Sequence, residues 1–346
     1  MKRHKLLILG AGSMAATHAR AFAADPRIEV VAACDVDGGR AANFAAQFGL
    51  KQSFGSLDAA LARCEFSACA NVTPDGAHHA STMALLAAGK HVFCEKPLAD
   101  TYPLALEMTE AAEAAKLINR VNLTYRNVPH LAAARALVAA GEIGEIRHLE
   151  ASYRQSWLVG NHWGDWRSEP RWLWRLSQAH GSRGVLGDIG VHILDFATHA
   201  AGEDIVAMQA QLQTFAKAPD DRVGDYQLDA NDSFTMNVRM SGGALGVIHG
   251  SRFMTGYANS LHLHIFGTKG ALELQHGAAS TVLRACTGAG VHNLSWREIV
   301  APPVRTSYQL FVDAMEGQAD RSPDFRRAAD LQKLIDACSV ASGQTL

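Results

Sequence analysis

A glycine-rich turn directly after the first apolar run constrains the fold of this chain more than any other feature. The run Leu6–Leu9 ends at Gly10, and the turn Gly10–Ala15 leads into an alanine-rich stretch. Glycine at 10 permits a tight turn, glycine at 12 lets the backbone approach a pyrophosphate, and a small residue at 15 allows close packing of helix on strand. An ordinary glycine-rich turn is the alternative. The residues of this turn that we expect to bind a dinucleotide are Gly10, Gly12, Ser13 and Met14.

Apolar runs and alanine-rich stretches alternate through the first 125 residues. This alternation is typical of strands and helices in a parallel, doubly wound sheet. We therefore expect an α/β fold in which residues 1–125 form a Rossmann NAD(P)-binding domain. The predicted strands are 5–9, 28–34, 66–72, 90–94 and 117–123, and the predicted helices are 13–24, 37–48, 76–88 and 101–115.

The pattern changes after Arg126. Stretches that alternate between apolar and polar residues predict a large, mostly antiparallel open sheet. We expect residues 126–346 to form an α/β domain that binds the substrate and mediates oligomerisation, and two domains agree with a chain of 346 residues. The predicted strands are 146–153, 205–215, 233–240 and 261–266, and the predicted helices are 129–140, 307–317 and 324–341.

Asp35 ends the second predicted strand, about 20 residues after the glycine turn. A carboxylate at this position accepts hydrogen bonds from the adenosine ribose hydroxyls and repels a 2′-phosphate. NAD is therefore the expected cofactor, with NADP less favoured, and Arg40 is the nearby cation that would reverse the choice. The alternative is a solvated carboxylate at the end of a strand.

Composition excludes several classes of partner. The formal net charge of −2 and the isoelectric point near 6.8 provide no broad basic field for nucleic acid or for an anionic membrane. The apolar run Leu6–Leu9 is too short for a signal-peptide core or a membrane span, so we expect a cytoplasmic protein. The six cysteines include no CxxC pair and are expected to be buried free thiols.

Several motifs resemble those of the glucose-fructose oxidoreductase, inositol dehydrogenase and rhizopine-catabolism (Gfo/Idh/MocA) family. They are Glu95–Pro97, Asn71–Pro74 followed by His78, Gly184–His192 and Ser322–Phe325, and they occur in the family's order over nearly the whole chain. The resemblance implies a Rossmann domain joined to an α/β domain whose open sheet often mediates oligomers. It implies a homodimer or homotetramer that oxidises a secondary alcohol of a small molecule, commonly a sugar or cyclitol.

The resemblance makes His192 the catalytic base and Asp188 a residue that positions the substrate or shares its proton. Hydride transfer from a carbinol requires a base with a pKa near the working pH, and histidine meets this requirement. Residues 188 and 192 are four apart, hence on one face of a helix, and Gly187 and Gly190 leave that face open to a ligand. The alternative is a local ion pair on a helix surface.

Lys96 precedes Pro97 at the end of a predicted strand, which favours extended backbone and directs its side chain toward the ligand crevice. An ammonium there hydrogen-bonds the reacting oxygen and stabilises a developing alkoxide. The resemblance further implies that Glu95 contacts the nicotinamide ribose. It also implies that Thr73, Pro74 and His78 border the cofactor.

Asp195 and His199 continue the stripe of acidic and histidine residues, so metal ligation is a competing interpretation. The flanking glycines and the Glu95–Pro97 loop favour redox chemistry, and we expect no metal. Arg126 lies where the first domain passes into the second. It either borders the substrate or pairs with an acidic residue.

The segment 157–175 contains five of the six tryptophans, interleaved with arginines. Aromatic faces and guanidinium groups together suit a sugar ring or an acidic ligand, but they are also enriched at protein interfaces. Arg183 stands where many members of the family have glycine, and it either selects a charged sugar or faces solvent. The candidate substrate residues are Arg126, Trp163, Trp172 and Arg183.

Together these features predict an NAD(P)-dependent oxidoreductase that transfers a hydride between a secondary alcohol of a sugar, cyclitol or related polyol and the nicotinamide. Two alternatives use the same fold. One is an NAD-dependent glycosidase that acts by transient oxidation of a ring hydroxyl, and the other is a non-catalytic dinucleotide sensor. Lys96, Asp188 and His192 occur together, which argues against the sensor.

Overall fold

The computed structural model describes residues 3–318 and 323–341, so Ser322 of the last family motif lies outside the described residues. The described residues form two compact units. The first takes residues 3–124 and 305–333, with the gap at 319–322, and the second takes 125–304 and 334–341.

The first unit contains a parallel sheet of six strands in the order β3-β2-β1-β4-β5-β6. This order is that of a doubly wound dinucleotide-binding fold, in which the chain reverses direction beside the first strand. The predicted Rossmann fold is confirmed. Its elements are β1 (His4–Leu9), α1 (Ala15–Ala23), β2 (Ile28–Cys34), α2 (Gly38–Phe48), β3 (Gln52–Phe54), α3 (Leu57–Arg63), β4 (Ala68–Asn71), α4 (His78–Ala87), β5 (His91–Cys94), α5 (Tyr102–Ala114) and β6 (Asn119–Val121).

The sequence patterns missed β3 and α3, and they made several strands longer than the structure has them. β3 has three residues and α3 has seven, which is too short for a periodic pattern to stand out. Strand 117–123 shrinks to Asn119–Val121 because the chain then turns through a short helical segment, Thr124–Asn127.

The end of the chain contributes to the core of the first unit. Helix α10 (Ser307–Met315) places the ring of Phe311 6.0 Å from that of Phe22 and 5.6 Å from that of Phe93. The division predicted at 125/126 put all later residues in one domain. Contacts between apolar residues that are far apart in the chain are not visible in a local pattern, and they place residues 305–318 and 323–333 with the first unit.

The second unit contains an eight-stranded sheet in the order β16-β15-β14-β13-β7-β12-β11-β8. Only the β12–β7 pair is parallel within this sheet, so the prediction of a mostly antiparallel sheet is confirmed. The elements are α6 (Pro129–Ala139), β7 (Ile146–Arg154), α7 (Pro170–Leu173), α8 (Val191–Ala201), β8 (Ile205–Gln213), β9 (Arg222–Val223), β10 (Tyr226–Gln227), β11 (Ser233–Met240), β12 (Leu245–Ser251), β13 (Ser260–Gly267), β14 (Gly270–His276), β15 (Thr281–Thr287), α9 (Gly290–Asn293) and β16 (Arg297–Glu298). The last described helix is α11 (Phe325–Ala341), of which residues 334–341 belong to this unit.

One face of this sheet is buried and the other is open. Along β11 the side chains of Phe234, Met236 and Val238 are buried, while those between them are exposed. This period of two is what a strand shows when only one face of its sheet is covered. Helix α8 packs on β7 and β12, and ten of its eleven residues are buried.

Among the described residues, no helix combines the length and the apolar character needed to cross a bilayer. All six cysteines are buried free thiols, as the sequence predicted.

Candidate active site

The glycine turn of the first unit is closely packed at Gly10 and open at Gly12. Gly10 has a φ of +89°, and a Cβ atom there would lie 2.5 Å from the carbonyl oxygen of Val72. A Cβ at Gly12 would meet no atom within 4 Å, and Ser13 and Met14 are exposed. Gly10 is therefore required by the fold, whereas the space in front of Gly12 is free for a ligand at the start of α1.

Asp35 connects the end of β2 to this turn. Its carboxylate accepts hydrogen bonds from the backbone N–H of Ala11 at 2.8 Å and of Asp37 at 2.9 Å. A guanidinium nitrogen of Arg40 lies 3.8 Å away, on a side chain that is 57% exposed. Asp35 is thus a buried, oriented carboxylate rather than a solvated one. Each oxygen still has lone pairs for ribose hydroxyls, so the residues present fit NAD.

Glu95 is hydrogen-bonded to a buried histidine, His18, that the sequence patterns missed. His18 Nε2 donates to Glu95 at 2.6 Å, and Asn122 donates to the same carboxylate at 2.7 Å. Burial opposes ionisation of Glu95, but these hydrogen bonds and the charge of Lys96 lower its pKa to about 2. The available signal was a histidine in a helix that consists mostly of alanine. In this structure Glu95 supports the Lys96 loop, whose backbone N–H also donates to it at 3.1 Å.

His78 joins the loops that follow β4 and β5. Its Nδ1 lies 2.7 Å from the carbonyl oxygen of Pro97, and its Nε2 lies 2.8 Å from that of Thr73. Both partners only accept, so both ring nitrogens must donate and the ring carries a positive charge. Burial disfavours that charge, but the adjacent Cys94 sulfur, the Asp75 carboxylate and the Pro97 carbonyl raise the pKa of His78.

Lys96 follows β5 at the carboxyl end of the parallel strands, which is where ligands bind in such sheets. It is half-buried, and the peptide bond between it and Pro97 is cis. On the same edge, Thr73 is half-buried and Pro74 is exposed. The first unit therefore gathers the predicted cofactor residues at one end of its sheet. Asp188 and His192 belong to the second unit.

Asp188 and His192 do not share one regular helix. Residues Leu186–Gly190 form a π-helical turn that runs into α8, and such turns occur frequently at functional sites. Gly187 also has a structural role in this turn. A Cβ at Gly187 would lie 2.3 Å from the Cβ of Arg183, so the close winding of this turn itself requires glycine.

Arg252 fixes Asp188 and was not predicted. Its side chain is completely buried, donates to Asp188 Oδ2 at 3.0 Å and to the backbone oxygen of Arg175 at 3.0 Å, and lies over the ring of Trp157. The Arg175 side chain itself reaches within 4.0 Å of the same carboxylate. Two guanidinium groups favour the charged carboxylate. No motif marks Arg252 in the sequence, because it lies just beyond the end of β12.

Two tyrosines lie beside His192. The ring of Tyr125 stands perpendicular to the His192 ring with the centroids 5.1 Å apart, and the Tyr153 ring lies at 6.4 Å. Their hydroxyl oxygens are 2.5 Å apart. His192 is 7% exposed and the Asp188 side chain is 29% exposed, so the carboxylate is more open to a ligand than the imidazole. Neither tyrosine belongs to a motif, although Tyr125 directly precedes Arg126.

Arg126 pairs with an acidic residue, which was one of its two predicted roles. Its guanidinium grips Asp195 with two hydrogen bonds of 2.6 and 2.7 Å and also contacts His199. Asp195 and His199 are thus both engaged by one arginine. Throughout the described ranges, no group of three or more His, Cys, Asp or Glu side chains has the geometry to hold a metal ion.

The tryptophan-rich segment builds a small core of its own. Trp157 and Trp166 are buried with Leu158, Leu173 and Leu176. Trp163 and Trp172 are half-buried and stack with centroids 5.9 Å apart, and Arg171 and Arg175 lie over Trp172. Arg183 is exposed. Much of this segment therefore serves packing.

Comparison with protein-family models identifies both halves of the chain. Residues 4–123 match the oxidoreductase family with an NAD-binding Rossmann fold, and residues 131–273 match the GFO/IDH/MocA C-terminal domain. The chain therefore belongs to the GFO/IDH/MocA family of oxidoreductases, and the predicted family, enzyme class and NAD-binding domain are confirmed.

Characterised relatives act on sugars and cyclitols. The chain is 27% identical over 295 residues to a levoglucosan dehydrogenase of Pseudarthrobacter phenanthrenivorans, and the aligned region covers 78% of this chain and 73% of the relative. It is 25% identical over 338 residues to an inositol 2-dehydrogenase of Rhizobium meliloti, which covers 95% and 94%. The crystal structure of an oxidoreductase domain protein from Kribbella flavida superposes with a TM-score of 0.84 at 28% identity, over 99% of this chain and 97% of that one.

Proposed function

We propose that this protein is an NAD-dependent dehydrogenase that oxidises a secondary alcohol of a cyclic sugar, a cyclitol or a related polyol. The observation that carries the proposal is the group in the second unit, where His192 lies beside two phenols and Asp188 is paired with a buried arginine. Levoglucosan and inositol, on which the named relatives act, are both cyclic polyols and are the first candidates.

In the proposed reaction His192 accepts the proton of the substrate hydroxyl. The carbinol carbon loses its hydrogen as a hydride, and the alcohol becomes a carbonyl, so that one proton and one hydride leave together. NAD, when bound, supplies the acceptor for that hydride. Histidine is the side chain most often used for such a proton exchange near neutral pH.

Asp188 positions the substrate in this proposal. A carboxylate only accepts hydrogen bonds, so it binds hydroxyl groups and not a carbonyl or an ether. Its pairing with Arg252 supports a positioning role over the sharing of a proton, because a paired carboxylate is a poorer proton acceptor.

Lys96 stabilises the negative charge that develops on the reacting oxygen, as its ammonium is a compact cation with three donors. The support for this role is its place directly after β5, where His78 and Glu95 brace the loop. Trp163, Trp172 and Arg183 remain proposed substrate residues. Arg126 is better explained by its pairing with Asp195.

The experiment is a screen of levoglucosan, myo-inositol, glucose 6-phosphate and simple glycosides with NAD and NADP in parallel, followed by the absorbance of the reduced cofactor. We expect turnover with NAD and a loss of at least about a hundredfold in kcat/KM in His192→Ala. His292→Ala on α9 is the matched control, because its side chain is exposed. Retained activity in His192→Ala would remove this residue as the base.

The same screen separates the alternatives. Release of an aglycone without net NADH would indicate the glycosidase. NAD binding without turnover of any compound would indicate the sensor.

We further infer a homodimer or homotetramer formed through the open face of the sheet, and a cytoplasmic location, which free buried thiols suit because that compartment is reducing. Light scattering after gel filtration measures the oligomer. A monomer at micromolar concentration would contradict the inferred assembly.

A further inference from the structure

A chain of hydrogen bonds in the second unit runs from a buried indole to the phenol beside His192. Trp157 Nε1 donates to Gln155 Oε1 at 3.0 Å, and Gln155 Nε2 donates to Asn259 Oδ1 at 2.6 Å. The same Asn259 oxygen accepts from the Tyr153 hydroxyl at 3.0 Å. The Tyr153 hydroxyl lies 2.5 Å from that of Tyr125.

Each bond in this chain has only one possible direction. The indole N–H of Trp157 can only donate, so the amide atom of Gln155 that faces it is the oxygen and the other is the donating NH₂. The atom of Asn259 that faces this NH₂ must then be its oxygen, which carries no hydrogen. Tyr153 consequently donates its single hydrogen to Asn259.

The direction is passed on to Tyr125. The hydrogen of Tyr153 is already used, so Tyr125 must donate its own hydrogen to the Tyr153 oxygen. A tyrosine hydroxyl has one hydrogen and two lone pairs. The hydroxyl oxygen of Tyr125 is therefore left as an acceptor and cannot donate to a ligand.

Both phenols keep their hydrogens across the working pH range. Burial raises the pKa of Tyr125, and the charge of Asp188 raises it further. Burial also raises the pKa of Tyr153. The direction of the chain thus does not change at neutral or mildly alkaline pH.

Only one end of the chain is accessible. Trp157, Gln155 and Tyr153 are all at most 5% exposed, whereas Tyr125 is half-buried and its ring stands against that of His192. The partly exposed end of the chain is therefore the tyrosine whose ring packs against the imidazole that the proposed function makes the base.

We propose that Tyr125 selects substrates with a second hydroxyl next to the one that is oxidised, and that this hydroxyl donates a hydrogen bond to the Tyr125 oxygen. This proposal rests on the proposed function, and it narrows the substrate class to vicinal diols. A deoxy, fluoro, ether or keto group in the second position leaves the acceptor without a donor, which costs binding free energy.

The test uses whichever of levoglucosan and myo-inositol the wild-type protein oxidises, together with its monodeoxy and monodeoxyfluoro derivatives. Fluorine replaces a hydroxyl but cannot donate. Replacement of the hydroxyl that donates to Tyr125, by hydrogen or by fluorine, is expected to raise the KM of the wild type about tenfold with little change in kcat. Tyr125→Phe is expected to raise the KM for the parent compound by a similar factor. In Tyr125→Phe the parent compound and its two derivatives are expected to have similar KM values.

Tyr153→Phe reverses the polarity and makes the test sharper. Without its acceptor, the Tyr125 hydroxyl has a hydrogen that it can donate to a ligand. The KM of the fluoro derivative is therefore expected to fall toward the KM of the parent compound. Tyr257→Phe is the matched control, since that ring is 37% exposed and lies over Arg154. It is expected to match the wild type.

Calorimetric binding of the same compounds to the NADH-loaded protein keeps the two proposals apart. Turnover or binding that is the same in wild type and Tyr125→Phe overturns the Tyr125 proposal alone. Binding of a polyol without turnover, lost in Tyr125→Phe, supports it even though the dehydrogenase reaction has failed. Failure of every polyol to bind overturns both.

Discussion

Replacement of Arg252 by methionine tests the arrangement around Asp188. Methionine keeps much of the apolar volume of the side chain but removes the guanidinium, which donates to Asp188 and to the Arg175 backbone and lies 5.0 Å from the Trp157 ring centroid. Tryptophan fluorescence reports this change selectively, because all six tryptophans belong to the second unit.

The magnitude follows from the contacts that are lost. A hydrogen bond to a charged group contributes about 1.5 to 3 kcal/mol, a neutral one about 1 kcal/mol, and a desolvated cation over an indole up to about 2 kcal/mol. The cost of burying the guanidinium offsets part of this sum, and the same desolvation lowers the pKa of Arg252. Since water reaches Asp188, which is 29% exposed, we expect a net loss of about 2 to 3 kcal/mol in the free energy of unfolding.

The assay is urea unfolding followed by tryptophan fluorescence. Arg239→Met on β11 is the matched control, because that side chain is exposed, and it is expected to change stability by less than about 0.5 kcal/mol. Asp188→Asn alone leaves a buried cation without its carboxylate. The variant that combines Arg252→Met with Asp188→Asn should therefore lose less free energy of unfolding than the two single variants lose together. The expected difference is about 1 to 3 kcal/mol. Additive losses, or an Arg252→Met protein as stable as the control, would refute the reasoning.

Three further predictions concern the first unit. Gly10→Ala places a Cβ 2.5 Å from a backbone oxygen at a φ of +89°, and thermal unfolding should show that it destabilises the fold by about 2 kcal/mol or more. Gly12→Ala should leave stability unchanged but weaken NAD binding, which cofactor titration measures. Glu95, with its pKa lowered to about 2, should contribute about 3 kcal/mol to the free energy of unfolding above pH 5, and this contribution should be lost as the pH falls toward 2. Glu95→Gln should therefore reduce the loss of stability between pH 5 and pH 2, which is the acid limb of the stability curve. Asp35→Ser should shift the ratio of kcat/KM toward NADP, because the carboxylate is removed while Arg40 stays within reach of a 2′-phosphate.

Clear outcomes would contradict each of these predictions. Equal NAD affinity of Gly12→Ala and wild type would show that the space in front of Gly12 does not receive the pyrophosphate. An acid limb unchanged by Glu95→Gln would assign the loss of stability to other carboxylates. An unchanged cofactor ratio in Asp35→Ser would mean that Asp35 only braces the turn through Ala11.

Local sequence determined the fold class and the cofactor turn. The Gly10–Ala15 turn, the alternation of apolar strands with helices and Asp35 at the end of the second strand depend on short-range geometry, which a local pattern records directly. The family motifs added Lys96, Asp188 and His192 as candidate catalytic residues. The Rossmann fold and the family are confirmed, and the roles of those three residues remain proposals.

The tertiary structure decided which partners these residues have. Arg252 meets Asp188, His18 meets Glu95, and Phe311 returns to the core of the first unit across separations that no local pattern contains. The direction of the hydrogen bonds that end at Tyr125 likewise depends on which atoms face one another in space. The sequence therefore determined what chemistry the chain carries, whereas packing determined the charge, orientation and hydrogen-bonding capacity with which its side chains are presented.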